Sequence, residues 1–267
     1  MQKKEILSLS IRSAVEAGEK IMEIYNKDFS VEYKDDKSPL TEADKASNIV
    51  ICENLKNTFP IISEENKLID YAERKDWDTC WLIDPIDGTK EFIKKNGEFT
   101  VNIALIQNNL PVLGVVYLPA QKVLYFAAEE LGSFKYEFGE NENLPELETL
   151  LSSSQKLNGE NLPEKYTIVA SRSHMSPETE AFIEDCRKKY GEVELISKGS
   201  SIKLCLVAEG SAQVYPRVAP TMECDTASAH AVAKFAGCSV NDFYEQTELK
   251  YNKENLLNPY FIVAHEG

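Results

Sequence analysis

The sequence predicts an α/β protein of two lobes that differ in how helices and strands follow one another. Two segments with apolar residues at helical spacing open the chain, over residues 5–26 and from 41 to about 57. Short apolar runs bounded by turn residues follow between 61 and 127, and they indicate strands. Beyond residue 155, strand candidates alternate with helix candidates, which is typical of an α/β unit.

The first lobe is predicted as two helices followed by an antiparallel sheet. The apolar stripe of the first helix consists of Leu7, Ile11, Ala14, Val15, Gly18, Ile21, Met22 and Tyr25. In the second helix, the residues expected to face inward are Ile49, Val50, Cys52 and Leu55. The strand candidates are 61–62, 79–83, 100–106, 112–118 and 123–127. The break Asn108-Asn109-Leu110-Pro111 predicts a hairpin connection.

The second lobe is predicted to begin after a polar stretch. Residues 137–164 are rich in Glu, Asn and Ser, so we expect a surface crossing with a boundary near 155, which gives lobes 1–155 and 156–267. Strand candidates (166–170, 193–196, 212–215, 260–264) then alternate with helix candidates (177–190, 200–209, 225–236). Pro177 after Ser176 predicts one helix start, and Gly237 predicts a helix end.

Composition excludes several classes of protein. With 267 residues, 43% hydrophobic and 27% charged, the chain is neither disordered nor fibrous. We expect no transmembrane helix, because no apolar run is long enough, and no signal peptide. The formal net charge of −15 disfavours nucleic acid polymers and anionic membrane surfaces. The six cysteines form no C-x-x-C pair, so we expect reduced thiols in a cytoplasmic protein rather than disulfides or a zinc knuckle.

Three acidic clusters each follow an apolar run. They are Ser63-Glu64-Glu65, Asp84-Pro85-Ile86-Asp87-Gly88-Thr89 and Glu223-Cys224-Asp225. Pro85 turns the chain after Asp84, so the two aspartates and the intervening carbonyl of Ile86 can converge. These oxygen donors suit a hard cation, and the amides of Gly88, Thr89 and Lys90 at a helix start can hold a phosphate. The pattern indicates metal-assisted phosphoryl chemistry.

Each cluster also has a structural interpretation. The central cluster can be an Asp-Gly turn, Glu64-Glu65 can be solvated surface, and Asp225 can be the N-cap of the helix over 225–236. Thr41-Glu42-Ala43-Asp44 has the pattern of a capping box. Taken together, three acidic clusters at the ends of apolar runs favour the functional interpretation.

In this order Ser63-Glu64-Glu65, Asp84-Pro85-Ile86-Asp87-Gly88-Thr89 and Asp225-Thr226-Ala227 resemble the signatures of the inositol monophosphatase superfamily of magnesium-dependent, lithium-sensitive phosphatases. Lys90-Glu91-Phe92-Ile93 directly after the Asp-Gly-Thr resembles its 3′(2′),5′-bisphosphate nucleotidase branch of CysQ type. Further matches are Ser171-Arg172-Ser173-His174, Gly199-Ser200-Ser201-Ile202-Lys203, Val207-Ala208-Glu209-Gly210, Tyr215-Pro216-Arg217 and Pro220-Thr221-Met222-Glu223. The resemblance covers about residues 38 to 240 and implies a five-layer α-β-α-β-α sandwich of the sugar phosphatase type, with the active site between the lobes.

The resemblance implies a role for each matching residue. The ligands of two or three Mg²⁺ ions would be Glu64, Asp84, the Ile86 carbonyl, Asp87 and Asp225, with Asp84 bridging two ions. Asp44 and Thr89 match the pair that orients and deprotonates the attacking water, which sets the capping interpretation of Asp44 aside. The implied substrate contacts are Gly88, Thr89, Lys90, Ser171, Arg172, His174, Ser200, Lys203, Tyr215, Arg217 and Asp225.

Within that set, Lys203 and Arg217 are the candidates for binding a second phosphate, and Tyr215 is the candidate for contact with the nucleotide base. The alternative for Lys203 and Arg217 is that both are solvated surface residues. One departure is Cys224, where the family usually has Trp; since that position is not a ligand, we expect it to affect packing rather than chemistry. His230 is expected to be a packing or surface residue and not catalytic.

The expected reaction is Mg²⁺-dependent hydrolysis of the 3′-phosphate of adenosine 3′,5′-bisphosphate to AMP and phosphate by an activated water. The alternatives are an inositol-1-monophosphatase with the same metal site, a non-catalytic module that binds metal or nucleotide, and an interaction protein with an acidic face. The expected partner is a small phosphorylated nucleotide, and the chain is expected to be a monomer or homodimer. Some relatives of this branch are described as loosely membrane-associated, which leaves a peripheral position at the inner membrane open.

Overall fold

Helices and sheets alternate in five layers in the computed structural model, which describes residues 3–33, 39–159, 162–171 and 176–265. The outermost layer consists of α1 (Lys3–Tyr25) and α2 (Glu42–Leu55), which pack together on one face of a seven-stranded sheet. A two-stranded ribbon, β1 (Val31–Tyr33) with β2 (Pro39–Thr41), precedes α2.

The seven-stranded sheet runs in chain order from β3 to β9. Its strands are β3 (Ile61–Ser63), β4 (Thr79–Asp87), β5 (Thr100–Gln107), β6 (Leu110–Leu118), β7 (Val123–Ala128), β8 (Gly132–Glu137) and β9 (Gln155–Leu157), with the short helices α3 (Tyr71–Arg74), α4 (Thr89–Ile93) and α5 (Leu147–Ser153) between them. Asn108 and Asn109 both have positive φ (50° and 64°), which confirms the predicted hairpin between β5 and β6.

The prediction of a wholly antiparallel first sheet is wrong at one edge. β3 and β4 are parallel, whereas every later neighbour in this sheet is antiparallel. The reason is the connection: the chain passes through α3 between these two strands, and a crossover of this length returns the chain in the same direction. The ends of β3 and β4 therefore lie at the same edge of the sheet.

The face of α2 that meets the core also differs from the prediction. Ala43, Ser47, Ile51 and Leu55 are buried at a strict spacing of four residues, while Ile49 is 62% exposed. Small residues occupy half of this stripe, so the large apolar side chains alone do not mark it.

The third layer is formed by α7 (Ile202–Ala208) and α8 (Ala227–Phe235), which lie between the two sheets. α8 crosses β6 so closely that a Cβ on Gly114 would lie 2.1 Å from the Ser228 carbonyl oxygen. Glycine at 114 is therefore required by the approach of this helix.

The fourth layer is a five-stranded sheet in the order β11-β10-β12-β14-β13. Its strands are β10 (Tyr166–Ser171), β11 (Val193–Lys198), β12 (Val214–Arg217), β13 (Cys238–Asp242) and β14 (Phe261–His265). The fifth layer, α6 (Pro177–Tyr190), begins at the predicted Ser176 cap with Pro177 in its first turn. The five-layer fold class is confirmed.

Two further features follow from the described residues. None of the helices they form is long and apolar enough to cross a membrane. All six cysteines lie among them as free thiols.

Candidate metal and phosphate site

The end of β4 is bent so that several of its polar groups face one point. Pairing with β5 is regular up to Asp84 and Asn102 and resumes at Asp87 and Thr100, which leaves a bulge between them. Asp84 is 1% exposed, and its Oδ1 accepts the Ile86 N–H at 3.0 Å. In a regular strand Asp84 and Asp87, three residues apart, would lie on opposite faces. The bulge instead keeps them on the same side, opposite Asn102 and Thr100.

A cluster of possible metal ligands lies at this point. Glu64, Asp84, Cys224 and Asp225 each offer one donor atom, and these four atoms lie within 4.8 Å of one another. The side chains come from three places: the end of β3, the bulge of β4 and a 3-10 turn over Glu223–Asp225. The parallel pairing of β3 with β4 brings the first two together.

Asp225 is not the N-cap of the helix that follows it. It ends the 3-10 turn, where its Oδ2 accepts the Met222 N–H at 2.8 Å, and α8 begins at Ala227 after Thr226. The 3-10 turn displaces the helix start by two residues from the predicted 225. The other carboxylate oxygen, Oδ1, faces Cys224 Sγ at 3.6 Å.

The carboxyl groups repel one another in a site with little water. Burial, and then the charges of Glu64, Asp87 and Asp225, raise the pKa of Asp84 well above its usual range. Burial and Asp225 raise the pKa of Asp87 to about 7, against the opposing effect of Lys203. Burial chiefly raises the pKa of Asp225 to about 6. Buried carboxylates of like charge at this separation favour a cation between them.

Asp44 and Thr89 form a hydrogen-bonded pair beside this cluster. The Thr89 hydroxyl donates to Asp44 Oδ1 at 3.2 Å, with the Ile86 carbonyl as a second acceptor at 3.3 Å. Asp44 Oδ2 accepts the Thr41 N–H at 2.7 Å and the Thr41 hydroxyl at 2.6 Å. Setting the capping box aside was therefore wrong: it is present, and it uses one oxygen of Asp44 while the other faces Thr89. Burial raises the pKa of Asp44.

Next to the carboxylates lies an open cleft whose lining includes the basic residues Lys90, Lys198, Lys203 and Arg217. Lys203 is buried, and its ammonium donates to the Ser200 carbonyl at 2.6 Å and lies 5.7 Å from the centre of the Tyr215 ring. Burial lowers the pKa of Lys203 to about 8, while Asp87 acts in the opposite direction. Solvated surface is thus excluded for Lys203.

The cleft brings together most of the residues expected at the substrate. Its lining includes Asp87, Gly88, Lys90, Ser200, Lys203, Tyr215, Arg217 and Asp225. It also includes residues that sequence reasoning did not assign to the site: Glu91, Lys198, Gly199, Thr221 and Thr226. Of these, all but Lys198 (Glu91, Gly199, Thr221 and Thr226) stand within motifs that carry the family resemblance, which is the signal that could have found them.

Three expected substrate residues cannot be placed. Arg172 and His174 lie outside the described residues, and of Ser171 only the backbone, at the end of β10, is described. His230, in contrast, is fully placed: it is 1% exposed in α8, and its Nδ1 is 2.9 Å from the Tyr251 hydroxyl. It is a packed residue of the core, as expected.

Comparisons with known proteins give a consistent result. The profile of the inositol monophosphatase family matches residues 2–266. The chain is 43% identical over 253 residues to the 3′(2′),5′-bisphosphate nucleotidase CysQ of Salmonella typhimurium, with 93% of this chain and 95% of that protein covered. It is 42% identical over 254 residues to the protein of the same description from Escherichia coli K12, with 93% and 95% covered.

Solved structures agree. The crystal structure of CysQ from Bacteroides thetaiotaomicron, described as a bacterial member of the inositol monophosphatase family, is 50% identical with a TM-score of 0.90. The alignment covers 99% of this chain and 98% of that one. The extragenic suppressor protein suhB from Bartonella henselae, at 22% identity and a TM-score of 0.75 over 98% of this chain and 94% of that one, has the same fold.

Proposed function

Because the chain belongs to the inositol monophosphatase family, we propose that it is a Mg²⁺-dependent phosphatase that converts adenosine 3′,5′-bisphosphate to AMP and phosphate. One observation carries the proposal: the carboxylate cluster and the basic cleft adjoin, and Asp225 belongs to both. A substrate with two phosphates can place one at the cluster and the other among the cations. The CysQ proteins of 42–43% identity are described as enzymes for this class of substrate.

The donor set fits a hard divalent cation. Glu64, Asp84 and Asp225 supply carboxylate oxygens, and burial together with the neighbouring carboxylates raises the pKa of Asp84 and of Asp225. When bound, Mg²⁺ neutralises charge on the reacting oxygens and lowers the pKa of a water. The number of ions, two or three, and the division into lobes 1–155 and 156–267 stay predictions.

Asp44 and Thr89 are suited to take up the proton of the attacking water. The Thr89 oxygen accepts this proton as its own hydroxyl proton passes to Asp44 Oδ1, 3.2 Å away. Asp44 is a competent base because its pKa is raised by burial and its other oxygen is fixed by Thr41. The bond from the water oxygen to phosphorus forms as the bond to the ribose 3′ oxygen breaks, and the departing 3′ oxygen takes up a proton from solvent to become the hydroxyl of AMP. No covalent enzyme intermediate is required.

The remaining groups orient the substrate. The first hydrogen bond of α4 is the one that the Glu91 N–H donates to the Gly88 carbonyl. The amides of Gly88, Thr89 and Lys90 come before it in the chain, so these three amides can face a phosphate. Lys203 and Arg217 line the cleft beyond Asp87 and are the proposed contacts of the second phosphate. With its six free thiols, the enzyme is proposed to act in the cytoplasm.

The test is phosphate release from adenosine 3′,5′-bisphosphate, its sulfated analogue, inositol 1-phosphate and 3′-AMP, with and without Mg²⁺. We expect turnover that requires Mg²⁺ and prefers the bisphosphate. Lys203→Met should lower kcat/KM about tenfold or more for the bisphosphate and less for 3′-AMP. Lys188→Met, at an exposed position of α6, is the matched control. A preference for inositol 1-phosphate would overturn the substrate assignment, and release independent of Mg²⁺ would overturn the mechanism.

A further inference from the structure

We propose that the carboxylate cluster also binds soft divalent cations of the zinc and cadmium class, with the Cys224 sulfur as a direct ligand. Cys224 Sγ is one of the four donor atoms that lie within 4.8 Å of one another, together with oxygens of Glu64, Asp84 and Asp225. The inference rests on the metal site of the proposed function and not on its substrate. It gives Cys224 a role in selecting the metal.

The distances suit a small tetrahedral ion. Metal bonds of about 2.0–2.3 Å to oxygen and sulfur give ligand-to-ligand edges of roughly 3.3–3.8 Å. Cys224 Sγ and Asp225 Oδ1 already lie 3.6 Å apart, although the two residues are adjacent in the chain. The other donors need to approach by about 1 Å.

The donor side chains differ in exposure. Glu64 is exposed and Cys224 is half-buried, whereas Asp84 is fixed by its hydrogen bond from the Ile86 N–H. Glu64 and Cys224 line an open pocket that is distinct from the basic cleft, which Asp225 lines. An ion can therefore reach the sulfur without passing the cations of the cleft.

The chemistry of the donors separates two classes of metal. Mg²⁺ takes oxygen ligands almost exclusively, so with Mg²⁺ the thiol of Cys224 stays protonated and outside the coordination sphere. Zinc and cadmium prefer thiolate, so the sulfur–metal bond replaces the S–H bond and one proton is released to solvent. The soft ion then holds the carboxylates that Mg²⁺ requires, and the two classes of metal compete.

The test uses the full, metal-free chain titrated with Cd²⁺, followed by the ultraviolet sulfur-to-cadmium charge-transfer absorption and by calorimetry. For the wild type we expect a charge-transfer band that saturates at one equivalent and is displaced by excess Mg²⁺. Cys224→Ser and Cys224→Ala should both lose the band and bind Cd²⁺ about tenfold or more weakly. Two variants are used so that a folding defect in one does not decide the result, and circular dichroism verifies the fold of each.

Cys52→Ser is the matched control, because Cys52 is the other half-buried cysteine of the chain. It should retain the band and the wild-type affinity. A band that survives in both Cys224 variants, or one that disappears in Cys52→Ser, overturns the inference. None of these measurements uses a substrate. A chain that binds Cd²⁺ through Cys224 and hydrolyses none of the phosphate esters would therefore contradict the proposed function alone.

Discussion

Replacing Asp84 by Asn should stabilise the metal-free protein and at the same time remove its response to Mg²⁺. Asn is nearly isosteric with Asp, and its Oδ1 can still accept the Ile86 N–H, so the bulge of β4 is preserved. What the substitution removes is a buried acidic group surrounded by Glu64, Asp87 and Asp225. Stability and activity should therefore change in opposite directions.

The size of the effect follows from the geometry. Donor oxygens of Glu64 and Asp225 lie within 4.8 Å of that of Asp84, and each fully ionised pair at this distance costs about 3 kcal/mol at an effective dielectric constant near 20. Protonation of Asp84 in the wild type relieves part of this repulsion. The free energy of unfolding of the metal-free Asp84→Asn variant should therefore exceed that of the wild type by on the order of 1–3 kcal/mol at neutral pH. The Tm of the metal-free protein should rise by about 2–4 °C for each kcal/mol.

The pH dependence has a definite sign. Because the pKa of Asp84 is raised in the folded state, folded wild type retains a proton that the unfolded chain releases. The wild type therefore loses stability as pH rises above the usual carboxyl range of about 4. The amide of the Asp84→Asn variant does not titrate. The difference in the free energy of unfolding between variant and wild type should therefore vanish at about pH 4, in the usual carboxyl range, and grow as pH rises above it.

Thermal unfolding of metal-free wild type and Asp84→Asn across this pH range, with and without Mg²⁺, measures the effect. Mg²⁺ should raise the Tm of the wild type and not that of the variant, whose kcat/KM should fall at least about a hundredfold. Asp78→Asn, at an exposed position just before β4, should behave as wild type. A variant less stable than the wild type at neutral pH, or one with normal turnover at saturating Mg²⁺, would refute the reasoning.

Three further outcomes are expected. Mg²⁺ affinity measured by calorimetry should weaken as pH falls from about 7 to 6, because protons compete at Asp87 (pKa about 7) and Asp225 (pKa about 6); a constant affinity contradicts this. Thr89→Ala should lower kcat about a hundredfold or more with little change in KM, and Thr89→Ser should restore it. Gly114→Ala should reduce the free energy of unfolding by about 1–3 kcal/mol in denaturant titrations, since its Cβ would meet the Ser228 carbonyl.

The fold could be predicted where one local pattern dominates. The paired asparagines 108 and 109 predicted a hairpin because positive φ at two successive residues is a local property. The buried face of α2 could not be found in this way, because Ser47 is buried there through its hydrogen bond to the Pro85 carbonyl, 38 residues away. β8 and β13 were missed for a related reason. Polar residues alternate with apolar ones along these short segments, and pairing with neighbouring strands decides that they are strands.

The candidate site shows the same limit. Sequence reasoning treated Asp44 as either a capping residue or a base, yet a carboxylate has two oxygens and the structure uses both. Cys224 was assigned to packing because the family has no ligand at that position. Its proximity to Glu64 and Asp84 arises only once β3 and β4 pair and is not visible in the sequence. Lys198 is brought to the cleft by Glu98, 100 residues earlier, through an ion pair of 3.2 Å.

A buried polar connection between β5 and the start of α7 explains how the carboxylates and the basic cleft keep a fixed separation. Asn102 and Thr100 of β5 lie opposite Asp84 and Asp87 of β4. On the other side, the Ser201 hydroxyl, just before α7, donates to Asn102 Oδ1 at 2.9 Å and is 2.9 Å from the Thr100 hydroxyl.

The same strand that supports the carboxylates thus also holds the start of the helix that carries Lys203. The three residues of the connection, Thr100, Asn102 and Ser201, are at most 1% exposed. Apolar side chains could fill the same space, and they would need no hydrogen-bond partners. The polar groups instead fix the position of α7 relative to β5, because each hydrogen bond is lost if α7 shifts along the strand. Moving Lys203 away from the carboxylates therefore costs buried hydrogen bonds. Groups far apart in the chain are therefore held so that the proposed metal site and the proposed second-phosphate site stay at a constant distance.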